Sequence, residues 1–341
     1  AIETSPTNPI LASTTSATSI TANSAVLGGN ITDEGATQVS ARGLVYGTTT
    51  GSSTFSVTIG SGAGTFTGTI SQQTFTPGTA PVAGYEGQFF NRIVRTGTTS
   101  VAPTFYQRVE NVRTFAGQTV TFSFWAKADA ARSVGIQAYQ AFGTGGSAAT
   151  DNNAGTASLT TSWQRFSFTY TMPSVSGKTI STSGDSWMAF YWNLPDSTAF
   201  TIDTWGWQLE AGSVATAFQT ATGTIQGELS ACQRYCWKVT DGTTDKAIAS
   251  GTYYGATTFI STLPFPVTMR TIPSATFVNG TSYWVIYSNA TADYCDNAAV
   301  TATSTNATNL EFSGNVSGTQ GYGGQVRTIN ASASMILSAE L

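Results

Sequence analysis

Two stretches decide the fold: Val120-Thr121-Phe122-Ser123-Phe124-Trp125 and Arg165-Phe166-Ser167-Phe168-Thr169-Tyr170-Thr171-Met172. In both, large apolar side chains alternate with smaller or more polar ones. Successive side chains of a β-strand point to opposite faces of the sheet, so this period of two predicts strands with one buried face and one wetter face.

The same alternation recurs further along the chain. It appears at Val134/Ile136/Ala138, at Met188/Phe190/Trp192/Leu194 and at Phe200/Ile202, with loops rich in Gly, Ser, Asn and Asp between the strands. Several such strands predict an antiparallel sandwich, which we interpret as a jelly roll spanning residues 72–219.

The flanking regions are also predicted to be β-rich. Residues 1–12 are polar with two prolines and predict an extended arm or linker. Residues 13–71 contain short strand patterns separated by turn signals, which predict a small sandwich. Residues 220–341 begin with one short helix near 228–238 and continue as strands, which predict a C-terminal β-sandwich. The expected fold class is therefore all-β, with several β-sandwich domains.

Composition excludes several classes of function. Only 9% of the 341 residues are charged, against roughly 25% in ordinary domains, and there is no histidine. The missing imidazole excludes Ser-His-Asp catalysis and His-ligated metals. The net charge is −4 and the basic residues are scattered, so nucleic acid is not an expected partner. No apolar run is long enough for membrane insertion.

The three cysteines do not suggest a disulfide framework, because their number is odd in a long chain. Cys232 and Cys236 are four residues apart in the predicted helix, which would place both thiols on one face as small buried side chains. We expect these two thiols and Cys295 to be reduced.

Two regions resemble known families of modules. The strand from Ser24 to Ile31 and the segment from Ala41 to Thr48 resemble immunoglobulin-like, fibronectin type III-like modules of bacterial and phage surface proteins. The closing strands of such a module are not visible, so this domain is either truncated or completed by a neighbour. Residues 72–219 resemble the carbohydrate-binding-module-like jelly rolls of bacteriophage tail fibres and tailspikes. The segments that carry this second resemblance are Gln73–Gly78, Arg108–Gln118, Phe122–Ala128, Gly143–Ser147, Thr161–Arg165 and Trp205–Gly212.

The C-terminal region carries a further resemblance. Cys232-Gln233-Arg234-Tyr235 and Pro264–Thr271 resemble parts of tail-fibre C-terminal domains. Together the resemblances imply a structural virion protein on the phage tail or capsid surface, a tail fibre or similar appendage without enzyme activity. They imply attachment to host-surface glycans, contact with other virion proteins through the N-terminal region, and a homotrimer.

Two alternatives to a tail fibre remain open. One is a capsid-decorating or head-fibre protein that stabilises the shell. The other is a secreted adhesin or a carbohydrate-binding module of a larger enzyme.

Candidate site residues follow from chemistry and from the resemblance. Tyr139, Trp187 and Tyr191 are the candidate glycan-stacking residues, because an aromatic ring covers the apolar face of a sugar. We also considered Trp163 in the jelly roll. In the last domain we considered Tyr253, Tyr254, Tyr283 and Trp284.

Carboxylates suggest a metal site more readily than catalysis. Jelly rolls of the carbohydrate-binding type often carry a structural calcium, whose oxygen ligands need no histidine. The resemblance places a calcium ligand at Asp203, with Glu86 as a second candidate. Glycoside hydrolysis needs two facing carboxylates. No spacing in the sequence pairs any two of the candidates, which are Glu110, Asp185, Asp196, Asp203 and Glu210, so no catalytic residue is assigned.

Overall fold

The structure is a computed structural model that describes residues 68–82, 86–97, 103–220, 222–240 and 244–339, and the backbone of four short N-terminal strands. Those strands form two antiparallel pairs, β1 with β4 and β2 with β3. Their bounds are Ile10–Leu11 (β1), Thr18–Thr21 (β2), Ser24–Val26 (β3) and Ile31–Asp33 (β4). The predicted arm at 1–12 and the predicted sandwich at 13–71 otherwise lie outside the described residues, except for 68–71. The chain forms two compact units that meet in sequence between residues 221 and 222.

The first unit is an antiparallel sandwich, as the alternating pattern predicts. One sheet has four strands in the order β10-β9-β12-β7, and the other has five in the order β11-β8-β13-β6-β5. The strands are Gly68–Thr74 (β5), Phe89–Arg95 (β6), Thr104–Glu110 (β7), Thr119–Ala128 (β8), Arg132–Ala141 (β9), Thr150–Leu159 (β10), Gln164–Thr171 (β11), Trp187–Asn193 (β12) and Phe200–Ala211 (β13).

The core of this unit lies between the two sheets and consists of the predicted apolar stripes. Phe124 of β8, Ile136 of β9 and Trp192 of β12 have no solvent exposure. The ring centroids of Phe124 and Trp192 lie 4.6 Å apart, in an edge-to-face arrangement across the two sheets. Removing an apolar side chain of this size from water contributes about 1.5–3 kcal/mol, so these apolar stripes stabilise the sandwich.

The outward face of β8, which the alternation predicts to be the wetter one, is buried. Thr121 and Ser123 of β8 are each 1% exposed, although they point away from the core. The chain that follows β13 lies across this face, where the Thr121 hydroxyl donates to the carbonyl of Gly212 over 2.8 Å. Glu210 holds the same segment by accepting from the backbone N–H of Thr216 over 2.9 Å. The alternation alone carries no sign of this covering segment.

The second unit is also a β-sandwich, with one short helix at its start. Its sheets have three strands in the order β14-β23-β17 and seven in the order β19-β18-β22-β15-β16-β21-β20. Its elements are Ile225–Gln233 (α1), Cys236–Lys238 (β14), Ala247–Gly255 (β15), Thr258–Pro264 (β16), Ser274–Val278 (β17), Trp284–Ser288 (β18), Thr291–Cys295 (β19), Asn297–Thr303 (β20), Ala307–Ser313 (β21), Gly323–Thr328 (β22) and Ser334–Ser338 (β23). In the described part of the chain, no helix has the length and apolarity needed to cross a membrane.

The helix is present but does not extend to residue 238. It begins after Thr224, whose hydroxyl accepts from the backbone N–H of Gly227 over 3.1 Å, and it ends at Gln233. Cys236–Lys238 instead pair antiparallel with β23, and the Trp237 ring packs near Phe265. The prediction of two buried thiols on one helix face was therefore wrong: Cys232 is half-buried on α1, and Cys236 is exposed on a strand. Cys295, in contrast, is buried in the core of the second unit.

Candidate functional site

The outward face of the four-stranded sheet collects aromatic side chains from three adjacent strands. Tyr191 of β12 lies opposite Tyr106 of β7, and Ala189 lies opposite Arg108 of β7 on one side and Tyr139 of β9 on the other. Trp187 belongs to the same alternating set on β12. We call Tyr106, Arg108, Tyr139, Trp187 and Tyr191 the aromatic sheet face. Ala189 has no solvent exposure although it points outward, because these larger side chains surround it.

The rings of this face are ordered against one another. The Trp187 ring is close to parallel with two neighbours, 5.0 Å from Tyr139 with planes 24° apart and 6.0 Å from Tyr106 with planes 5° apart. Tyr191 stands edge-on to both tyrosines, at 6.2 and 6.5 Å between centroids. Offset-parallel and edge-on pairs are the favourable geometries of aromatic rings, so the face is held in place before any ligand arrives.

Arg108 adds a planar donor to the aromatic rings. Its guanidinium carbon lies 4.5 Å from the Trp187 ring centroid and 5.3 Å from that of Tyr106. One of its terminal nitrogens donates to the Tyr106 hydroxyl over 3.0 Å. The guanidinium is planar and its charge lies against the Trp187 ring, so Arg108 fixes the orientation of that ring.

Tyr191 is fixed by the neighbouring edge strand. Its hydroxyl donates to a carboxylate oxygen of Asp151 on β10 over 2.7 Å. Burial, followed by the hydrogen bond and the charge of Asp151, raises the pKa of Tyr191 above its ordinary value. The phenol therefore stays protonated, and Asp151 has a second oxygen that can accept from a ligand hydroxyl.

A carboxylate also fixes one end of the face. Asp185, two residues before Trp187, accepts from the backbone N–H of Thr144 over 2.8 Å and from its hydroxyl over 2.6 Å. These bonds join the loop after β9 to the segment before β12. Hydrogen bonds from Ser181 and Thr144 lower the pKa of Asp185 to about 2. Asp185 is thus a structural anion beside the candidate site.

The remaining carboxylates considered for hydrolysis serve other contacts. Glu210 anchors the Thr216 segment, Asp196 accepts from the backbone N–H of Ser197, and Glu110 lies opposite Trp187 at the margin of the aromatic sheet face.

The two predicted calcium ligands lie in different surroundings. Both Asp203 oxygens accept from Arg92, over 2.7 and 2.9 Å, and the Lys127 ammonium lies 3.6 Å away. This 3% exposed carboxylate is already neutralised by two cations, an arrangement that disfavours a third. Glu86 is exposed and accepts from the backbone N–H of Gly78. Within the described residues, no cluster of three or more carboxylates and cysteines forms a metal site. The calcium site stays a prediction.

The structure separates the other aromatic candidates. Trp163 immediately precedes β11 of the five-stranded sheet, and its ring centroid lies 5.6 Å from that of Phe75 and 5.5 Å from that of Phe90. Tyr253 and Trp284 belong to the core of the second unit, whereas Tyr254 is 69% exposed. Tyr283 is half-buried.

The sequence pattern did not predict that Tyr106, Arg108 or Asp151 belongs to the site. A weak signal was present in β7, where Tyr106, Arg108 and Glu110 alternate with Phe105, Gln107 and Val109. The register that brings β7 beside β12 is a long-range property that the alternation cannot supply.

Comparisons with known proteins bear on the same region. A family model described as a carbohydrate binding domain matches residues 112–186, a segment that includes Tyr139 and Asp151. The other four residues of the aromatic sheet face lie just outside the matched segment. A comparison with curated proteins gave no match.

Solved structures similar to this chain include several carbohydrate-binding modules. A CBM4 module is 23% identical, with 42% of this chain and 87% of that chain covered and a TM-score of 0.28. The CBM22-1 xylan-binding domain from Paenibacillus barcinonensis is 15% identical, with 44% and 86% covered and a TM-score of 0.29. The enzymatically active domain of tailspike protein 4 from bacteriophage CBA120 is 13% identical, with 43% of this chain but 18% of that chain covered and a TM-score of 0.29.

Proposed function

We propose that the first unit binds carbohydrate on the aromatic sheet face. The observation that carries the proposal is the set of near-parallel Tyr139, Trp187 and Tyr106 rings, with the Arg108 guanidinium against Trp187. The family match over residues 112–186 supports the same class of ligand.

The chemistry of the face suits a sugar chain. A pyranose presents an apolar C–H face, which an aromatic ring can cover, and a rim of hydroxyls that need donors and acceptors. Arg108 supplies donors, and Asp151 supplies an acceptor beside the Tyr191 hydroxyl. Both polar groups are held by neighbours on the face, so little side-chain entropy is lost when the ligand binds.

Binding at one such face should be weak. The face is formed by a sheet surface. A sugar that binds there exchanges its hydroxyl–water bonds for hydroxyl–protein bonds, so the net gain in binding free energy is small. We expect a Kd on the order of tens of micromolar to millimolar for one copy. Several copies on one particle would raise the avidity without any tighter contact.

The experiment is affinity electrophoresis of the full chain through gels that contain mixed-linkage β-glucan, galactomannan, dextran or alginate. In a gel that retards the wild-type chain, Trp187→Ala should raise the apparent Kd about tenfold and so reduce the retardation. A ring contact of this kind contributes about 1 kcal/mol or more. Trp163→Ala is the matched control, because it removes an indole ring that packs against Phe90 of the five-stranded sheet and is not part of the aromatic sheet face. Equal retardation of wild type and Trp187→Ala in every gel, with both folded, would contradict the proposal.

We further infer that the chain is a non-enzymatic virion component, a tail fibre or similar appendage that attaches a bacteriophage to host-surface glycans. This inference rests on the resemblance of residues 72–219 and of the C-terminal segments to such proteins. In this arrangement the N-terminal region contacts other virion proteins, and the outer sandwiches face the host.

The assembly follows from the same inference. We propose a homotrimer, because closed cyclic symmetry suits a single appendage. Sedimentation at micromolar concentration should give three times the mass of the 35.5 kDa chain. A monomer would contradict the proposed homotrimeric appendage. It would favour the alternative, a capsid-decorating protein that trimerises only on a shell. Purified protein should also bind host cells, and stripping their surface polysaccharide should remove the binding.

A further inference from the structure

The outward face of the seven-stranded sheet in the second unit carries a separate group of aromatic and polar side chains. On adjacent strands, Val285 of β18 lies opposite Tyr294 of β19 on one side and Arg327 of β22 on the other. Tyr287 lies opposite Gln325 of β22, one step along the same face. We call Tyr287, Tyr294, Gln325 and Arg327 the tyrosine face.

Both tyrosine rings of this face are open to solvent, and the floor beneath them is closed. Tyr287 is 41% exposed and Tyr294 is 45% exposed, whereas Val285 between them has no exposure. On the opposite side of the sheet, Trp284, Ile286 and Val326 are fully buried in the core. The strands are therefore anchored from below, and their outward rings form a firm platform.

The polar groups of the tyrosine face are held in place. The Arg327 guanidinium carbon lies 4.9 Å from the Tyr287 ring centroid. Its Nε donates to the side-chain oxygen of Gln325 over 2.7 Å, and one terminal nitrogen contacts Asp245 at 3.1 Å. The arginine charge is balanced by that carboxylate, while the Gln325 amide N–H₂ and further guanidinium N–H groups can still donate.

We propose that the tyrosine face is a second carbohydrate-binding site, selective for a neutral pyranose chain. Exposed rings cover the C–H face of a sugar, and the planar Arg327 and Gln325 groups bond its hydroxyls. The Arg327–Asp245 pair leaves no net charge to attract an anionic polysaccharide. This site lies in a different unit from the aromatic sheet face and goes beyond the function proposed for that face.

A protein partner fits this surface less well. An aromatic side chain offers 150–250 Å² in all, so two tyrosines that are less than half exposed present about 200 Å². A stable protein interface needs roughly 800 Å² from each partner, of which a little more than half, or about 450 Å², is apolar. The amount of exposed ring suits one or two sugar units.

The experiment uses the full chain with the first site weakened by Trp187→Ala, in the same polysaccharide gels. This background should still be retarded by at least one neutral polysaccharide (β-glucan, galactomannan or dextran) and not by alginate. Adding Tyr287→Ala or Tyr294→Ala should weaken that residual binding about tenfold. Tyr254→Ala should leave the residual binding unchanged. This variant removes an exposed ring from β15, which lies two strands from β18 in the sheet. Tyr287→Phe keeps the ring and should retain most of the binding, and thermal melting of each variant checks the fold.

Three outcomes would overturn the second site. The first is no residual binding in the Trp187→Ala background, which leaves the first site supported. The second is residual binding to alginate alone, or residual binding that Tyr254→Ala reduces as much as Tyr287→Ala does. The third is dissociation of an oligomer by Tyr287→Ala or Tyr294→Ala, measured by sedimentation, with the residual binding unchanged. That last result would assign the face to a second copy of the chain.

Discussion

The Tyr139 and Trp187 rings lie 5.0 Å apart with their planes 24° from parallel, on strands β9 and β12 that pair side by side. This relationship gives the aromatic sheet face its shape, because Tyr106 extends the same near-parallel arrangement on the other side of Trp187. The arrangement makes Trp187 the central ring of the proposed site.

Arg108 should contribute to ligand binding through its planar head group. Arg108→Ala removes the contact with Trp187 and the hydrogen bond to Tyr106, and should weaken binding about tenfold. Arg108→Lys should recover only part of the loss, because an ammonium cannot stack or donate in a fixed plane. Affinity electrophoresis measures both variants. The matched control is Arg113→Ala, at an exposed position in the turn after β7. A similar loss for Arg113→Ala would mean that net charge, and not position, controls binding.

Asp203 should contribute to stability through its two cationic partners. Removing its charge leaves Arg92 and Lys127 without their shared partner, but both cations are about one-third exposed (36% and 31%). We therefore expect Asp203→Asn to lower the free energy of unfolding by about 2 kcal/mol, less than for a fully buried pair. Asp129→Asn, in the more exposed pair with Arg132, should cost about 0.5 kcal/mol.

The same denaturation experiments test whether Asp203 binds a calcium ion. If Asp203 is a salt-bridge residue, chelator should leave the difference between wild type and Asp203→Asn unchanged. A chelator-dependent drop in Tm that appears in wild type and disappears in the variant would instead place a calcium ion at Asp203.

Asp185 should make stability depend on acid pH. Its folded-state pKa is lowered to about 2 by hydrogen bonds from Ser181 and Thr144, against about 3.9 in an unfolded chain. A depressed carboxylate pKa gives stability that is fully present above the unfolded value and is lost as the pH falls through the folded value. The stability difference between wild type and Asp185→Asn should therefore be constant above about pH 5 and shrink between about pH 4 and pH 2. Chemical denaturation across that range measures it, and a difference that does not change with pH would contradict this role.

The cysteines should differ in reactivity. Cys236 is exposed, whereas Cys295 is buried, and burial followed by the charges of Asp293 and Asp296 raises the pKa of Cys295 to about 12. At pH 8 an aromatic disulfide reagent should modify Cys236 rapidly and leave Cys295 unmodified until the protein unfolds. In denaturant without reductant all three thiols should react. A count of one would reveal a disulfide bridge, and rapid labelling of native Cys295 would contradict its burial.

The alternating stripes were enough to predict the first sandwich and its core. Phe124, Ile136 and Trp192 are buried where the period of two placed them, because the pleat of a strand fixes the face of every second side chain. The same parity placed Tyr139 and Tyr191 away from the core. Local pattern therefore predicted the outward position of two of the five residues of the aromatic sheet face.

The rest of the site depends on contacts between strands distant in sequence. Arg108 and Tyr106 join the site because β7 pairs with β12, and the tyrosine face forms because β22 lies beside β18. Neither pairing can be predicted from a local sequence pattern. The end of α1 is a further example, since Cys236–Lys238 become a strand by pairing with residues of β23 near the C-terminus.

The most direct test of the proposed function is the response of one indole signal to a sugar. Protein labelled with ¹⁵N-tryptophan gives one indole N–H resonance for each of its eight tryptophans, and Trp187→Phe identifies that of Trp187. The titrant is an oligosaccharide of the polysaccharide that retards the wild-type chain. The Trp187 resonance should shift saturably while those of Trp163 and the buried Trp192 stay in place. Saturable shifts confined to Trp163, or no shift of Trp187 at concentrations that saturate binding, would contradict carbohydrate recognition by the aromatic sheet face.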